Sequence, residues 1–184
     1  MANTKISRNL HGWEIQEFSP IFENSINWDR VRVVEHDPLP DRIDRIGRFF
    51  KRMKPPKTGQ HNAITFGNKC IFPIGMPALL LSTADREAYK HPWLLHEITH
   101  AWQFQHMGWP YLFKALWAQA KYGSDVYNYG GAQGLIDHRA KGLTLFDFNL
   151  EQQAHIIEDY YARLRRGMTV DAYLPYIDDI RSLK

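Results

Sequence analysis

Cysteine is almost missing from this chain: a single residue, Cys70, among 184. One thiol cannot form an intrachain disulfide, so the fold must rest on its apolar core. Such a chain suits a reducing compartment, or an export route that does without oxidative folding. Cys70 stands beside Ile71 and Phe72, which predicts a buried, unreactive thiol. An excess of charge of one sign is lacking as well. The 23 Lys and Arg against 20 Asp and Glu leave only +3. The densest basic stretch, Lys51-Arg52 with Lys54 and Lys57, reads as a solvated helix end, so a nucleic-acid partner is not expected. Long apolar runs are absent. The most hydrophobic stretch, Ile71 to Leu81, is interrupted by Pro73, Gly75 and Pro77 and has about half the length of a membrane helix, so no membrane span is expected. The first eight residues lack the apolar segment of a secretory signal. The expectation is a soluble chain, cytoplasmic as synthesised, whose export would need no cleavable signal.

What is present is ordinary globular material, 44% hydrophobic and 23% charged. Its length suits a single domain, 1–184, in which residues 1–55 form an N-terminal extension that no motif explains. The first 30 residues, with Trp13, Phe18, Phe22 and Trp28, read as irregular. Val31 to Glu35 is a short β-branched strand. Asp41 caps a basic amphipathic helix (Ile43, Ile46, Phe49, Phe50) that Pro55-Pro56 ends. Asn62 to Phe66 and Lys69 to Phe72 are two strands around Gly67-Asn68. Helices are expected from Pro92 to Met107, from Pro110 to Lys121, and from Leu150 to Arg166 with Asn149 or Asp147 as cap. A last helix runs from Val170 to about Ile180 with Thr169 as cap. Tyr122 to Leu145, rich in Gly and Tyr, reads mostly as loop. The fold class is therefore α+β, helix-rich with a small mixed β-sheet.

The chemistry concentrates in His96-Glu97-Ile98-Thr99-His100. Four helical residues turn about 400°, so His96 and His100 stand one above the other on one face and can converge on a tetrahedral zinc ion. Glu97, offset by about 100°, falls beside the metal, where it can take a proton from a water. The surrounding helix is apolar (Trp93, Leu94, Leu95, Ile98, Ala101, Trp102, Phe104). Three buried polar groups there would be costly unless something coordinates them. A third ligand decides the class. His106 stands at nearly the metzincin spacing, but that pattern needs a Gly where this chain has Gln103, a good helix former, so His106 is expected to face away. Gluzincins take the third ligand from a Glu on a second helix. Glu151 is similar to that pattern: it opens the later helix and has small Ala154 one step along, allowing close approach. Glu158, seven residues on and nearly on the same face, is the alternative ligand. His155 and Asp159 are candidates for the layer behind the metal, with Asp159 able to orient a ligating histidine. Tyr127, Tyr129 and His138 are candidate donors to a developing oxyanion.

With these motifs in place, Asn62 to Asn68, Ile71-Phe72 and Leu94 to Gln103 resemble bacterial zincin-like (HExxH) metallopeptidase domains associated with secretion systems and polymorphic toxins. The likeness is greatest to domains fused to or encoded beside VgrG and Rhs proteins of type VI secretion. It extends over roughly residues 60 to 165, with Thr99-His100-Ala101-Trp102-Gln103 closing the first motif and Glu151-Gln152-Gln153-Ala154 matching the second. The resemblance implies a zincin-like fold holding Zn2+ on His96, His100 and Glu151, with Glu97 as base and acid. It implies hydrolysis of peptide bonds in proteins, or of peptidoglycan cross-links, by an exported effector or toxin. A secretion-system carrier and an immunity protein would then be its partners. The strand from Ala63 to Phe66 would pair with an extended substrate. A zincin-like module that has lost activity and only binds a partner is the competing reading.

Overall fold

A computed structural model describes residues 4–43, 61–108 and 127–183. The helix expected from Pro110 to Lys121 lies outside these residues, as does most of the basic helix. Residues 39–43 are helical, so Asp41 lies inside that helix and not at its cap, and Asp37 instead accepts from the Leu39 amide at 3.0 Å. The fold is α+β, as expected, and the sheet is mixed. Strand β1 (Ile6–Arg8) runs antiparallel to β2 (Arg32–Glu35), with Ser7 opposite Val34. β3 (Ile64–Phe66) and β4 (Lys69–Ile71) form the expected hairpin, and Gly67 takes the positive φ of 64° that its turn requires. β2 runs parallel to β4, which gives the order β1-β2-β4-β3 and leaves β3 at one edge. Val33 and Cys70 face each other across the parallel pair and are fully buried. Burial pushes the Cys70 thiol pKa up, in keeping with an unreactive role.

The N-terminal region departs from expectation: residues 12–22 are not irregular but form helix α1 (Gly12–Phe22). Phe18, Ile21 and Phe22 supply its buried stripe. Glu14 reaches back to the His11 amide at 2.6 Å and receives two bonds from the Arg8 guanidinium, each 2.8 Å. Pro20, inside the helix, hides the pattern in the sequence; the Ser19 hydroxyl donates to the Gln16 carbonyl that Pro20 cannot reach.

Helix α2 (Lys90–Met107) packs against β3 and β4 and against helix α4 (Leu150–Arg165), and this sandwich contains Leu94, Leu95, Ile98, Trp102, Ile156 and Ile157. Between them in the chain, residues 131–140 form helix α3 (Gly131–Ala140), a correction to the expected loop. Its apolar signal is weak because Leu135 alone of its residues is buried. Polar tertiary contacts hold it: the Tyr176 hydroxyl donates to the Leu135 carbonyl at 2.7 Å, and Arg139 pairs with Asp179 at 3.0 Å. The last helix, α5 (Leu174–Arg181), starts later than expected, since residues 170–173 form a turn and Pro175 occupies the first helical turn, where its missing N–H costs nothing. α1 and α5 pack together.

Candidate metal centre

α2 carries His96, Glu97 and His100 into the interior, each between 5 and 9% exposed. α4 brings Glu151 to them from its first turn. Asn149 caps that turn, accepting from the Gln152 amide at 2.9 Å, while the Gln152 side chain accepts from the Asn149 amide at 3.1 Å. Ala154, fully buried, lets the two helices close, as its size predicts. Three ligand atoms meet in a triangle. His96 Nε2 and His100 Nε2 are 3.2 Å apart, and Glu151 Oε2 is 3.5 Å from the first and 3.4 Å from the second. This group can hold a metal ion.

The remaining ring nitrogens are also engaged. His96 Nδ1 is 3.0 Å from Glu158 Oε2, and His100 Nδ1 is 2.9 Å from Gln103 Oε1. Glu158 therefore stands behind His96, on the far ring nitrogen from the triangle. It also contacts His155 Nδ1 at 3.3 Å, and His96, His155 and Glu158 form a second group of metal-ligating type that shares His96. The orienting contact expected of Asp159 is made by Glu158 instead. Asp159 accepts a short hydrogen bond from the Tyr129 hydroxyl, which also lies 3.1 Å from Tyr173 Oη. Tyr129 is thereby occupied away from the triangle, and burial, with Asp159 beside it, raises its pKa. Tyr127 and Tyr129 both set their rings edge-on to His155. His138 stacks on Phe148 with ring centroids 4.2 Å apart, which is a packing role. His106 faces away as expected, its Nε2 2.6 Å from the Ser25 carbonyl.

Glu97 points to the sheet. Thr65 on β3 places its hydroxyl 2.7 Å from Glu97 Oε2 and 3.0 Å from the Glu97 carbonyl. Sequence reasoning missed Thr65, because nothing in a three-residue strand marks one threonine as a partner of a distant helix. Gln103 was legible as a helix former and as the close of the Thr99–Gln103 motif, and its place three residues after His100 on one helical face is the signal for its contact with that ring.

Electrostatics follow from this crowding. Burial disfavours the charged form of His96, yet its bonds to Glu151 and Glu158 prevail and raise its pKa to about 10. His100 is raised too, its burial outweighed by Glu151. Burial acts upward on both carboxylates, but the histidines hold Glu151 well below the usual carboxylate range, and His155 and His96 bring Glu158 down to about 2. Glu97 moves the other way: burial raises it, only partly opposed by His100, His96 and Thr65. His96, His100, Glu151 and Glu158 are thus each shifted toward their charged forms by one another.

Among the described residues no helix is long and apolar enough to cross a membrane. No protein-family model and no solved structure matches the chain. Over 161 residues the chain is 29% identical to the type VI secretion system spike protein VgrG2b of Pseudomonas aeruginosa, a match that covers 86% of this chain and 13% of that protein.

Proposed function

We propose that this chain is a zinc-dependent metallopeptidase, an exported effector domain of the type VI secretion apparatus. One observation carries the metal: the triangle of His96 Nε2, His100 Nε2 and Glu151 Oε2, with edges of 3.2, 3.5 and 3.4 Å. Tetrahedral ligands at 2.0–2.1 Å from zinc stand roughly 3.3 Å from one another. Two imidazoles and one carboxylate also suit a borderline-soft ion better than calcium or magnesium, which prefer all-oxygen sites. Glu151 is the ligand in this reading, and Glu158 is the group that orients His96.

Zinc held there would supply a Lewis acid that brings a water near neutrality in acidity and polarises an amide carbonyl. The rest belongs to the chain. Glu97, with its affinity for protons raised by burial, takes the proton of the attacking water and delivers it to the leaving amine. Thr65 keeps that carboxylate in place. β3, at the edge of the sheet and packed on α2, offers backbone pairing to an extended peptide beside Glu97. The similarity to a spike protein supports delivery by that apparatus, with a peptide or peptidoglycan cross-link in the target cell as substrate.

Elemental analysis and peptide hydrolysis test this together. We expect one zinc per chain, lost in Glu151→Ala. Glu97→Gln should retain zinc while its kcat falls roughly 10²–10⁴-fold. No zinc in the wild-type protein after zinc is added back would sink the reading. Zinc without hydrolysis of protein, peptide or peptidoglycan would favour a partner-binding module of the spike.

A further inference from the structure

We infer that Gln103 is a positioning residue of this site: it sets the tautomer of His100 and ties that ring to the helix turn bearing Glu151. This rests on the metal-site reading above. Two backbone carbonyls, which can only accept, begin the chain of bonds. The Phe148 carbonyl accepts from Gln153 Nε2 at 2.9 Å, which turns Gln153 Oε1 toward Gln103. Gln103 Nε2 then donates to Gln153 Oε1 at 2.9 Å and to the Leu150 carbonyl at 3.0 Å. Both amide protons of Gln103 are used, so the atom it presents to His100 Nδ1 at 2.9 Å is its oxygen.

An oxygen acceptor at that distance requires a proton on His100 Nδ1. In the neutral ring Nε2 is therefore the lone-pair nitrogen, and Nε2 is the atom facing His96 and Glu151. Reversing either amide would set oxygen against oxygen in a place where Gln103 is 0% and Gln153 4% exposed, leaving buried polar groups without a donor. The two carbonyls thus dictate, through two glutamines, which nitrogen of His100 is available for a metal. Leu150 is the residue before Glu151, so the same amide also holds the first turn of α4 against α2.

The test uses the full chain, zinc chloride as probe and a chromophoric chelator as competitor, with proton NMR of the zinc-loaded protein. Gln103→Met, close in size but without the amide, should weaken zinc binding roughly 10–100-fold. It should also broaden the His100 Nδ1–H resonance by solvent exchange, while the His96 Nδ1–H, held by Glu158, persists. Gln103→Glu keeps the acceptor and loses the donors, so it should retain the His100 resonance and still bind zinc more weakly. This second variant carries the test if Gln103→Met fails to fold. Unchanged zinc affinity in Gln103→Met with the His100 resonance retained, or loss of that resonance in Gln103→Glu, would overturn the assignment. A wild-type chain that binds no zinc removes the metal site itself, and the wild-type titration tells that failure from the other.

Discussion

Glu97 and Thr65 meet where α2 crosses β3, and their contact sets how readily the proposed base ionises. Burial raises the Glu97 pKa; the histidines and then the Thr65 hydroxyl, 2.7 Å from Oε2, oppose it. A hydrogen bond to the ionised form favours that form, so removing it moves the pKa further up. Thr65→Val, which keeps the shape of the side chain, should shift the acidic limb of the kcat/KM pH profile toward higher pH and leave zinc content unchanged. An unmoved limb would show that Thr65 serves packing alone. Glu158 illustrates the same lesson at a single residue. Its face of the helix was apparent from spacing, but only the structure sets its carboxylate on His96 Nδ1, outside the triangle.

Among the elements, α4 matters most, because its first turn positions Glu151 and its middle positions Glu158. Its start is defined by the capping box of Asn149 and Gln152. Asn149→Ala should lower stability by about 1 kcal/mol in urea or thermal unfolding. It should also weaken zinc binding, because the turn carrying Glu151 frays first. A stability loss with unaltered zinc affinity would mean that the Gln103 tie to the Leu150 carbonyl holds the turn without the cap. The long elements were legible beforehand for a clear reason. α2 and α4 each carry a stop or a cap and a continuous apolar face, whereas α1 has Pro20 inside it and α3 buries little besides Leu135. The contact that holds α3, Arg139 to Asp179, comes from far along the chain, outside any local window.

For the whole molecule, the charge cluster predicts an opposite pH response in the metal-free and zinc-loaded states. The histidines, raised by their carboxylate partners, contribute stability that is fully present below their unfolded value of 6.5 and is lost as pH rises, for His96 through about 10. The depressed carboxylates contribute stability present above their unfolded value of 4.5 and lost as pH falls, for Glu158 toward about 2. Metal-free protein should therefore be most stable between these unfolded values. Zinc requires neutral imidazoles, so its stabilising effect should grow with pH. Scanning calorimetry with and without chelator should show the gap in Tm widening from about pH 6 to pH 8. A constant gap would mean that no histidine proton is displaced.

The sequence alone determined the α+β class, the hairpin, both long helices and the shared face of His96 and His100, because helical periodicity, caps and a Gly-Asn turn act over a few neighbouring residues. It offered both Glu151 and Glu158 as companions to that face, Glu151 first through the resemblance. Tertiary structure decided what depends on atoms far apart in the chain. It brought Glu151 to within 3.5 Å of both histidines, set Glu158 behind His96, occupied Tyr129 with Asp159, and joined Thr65 and Gln103 to the site. Spacing along a chain says which face of a helix a side chain occupies. Only the packing of one helix against another, and of both against the sheet, sets which atom of that side chain its partner meets.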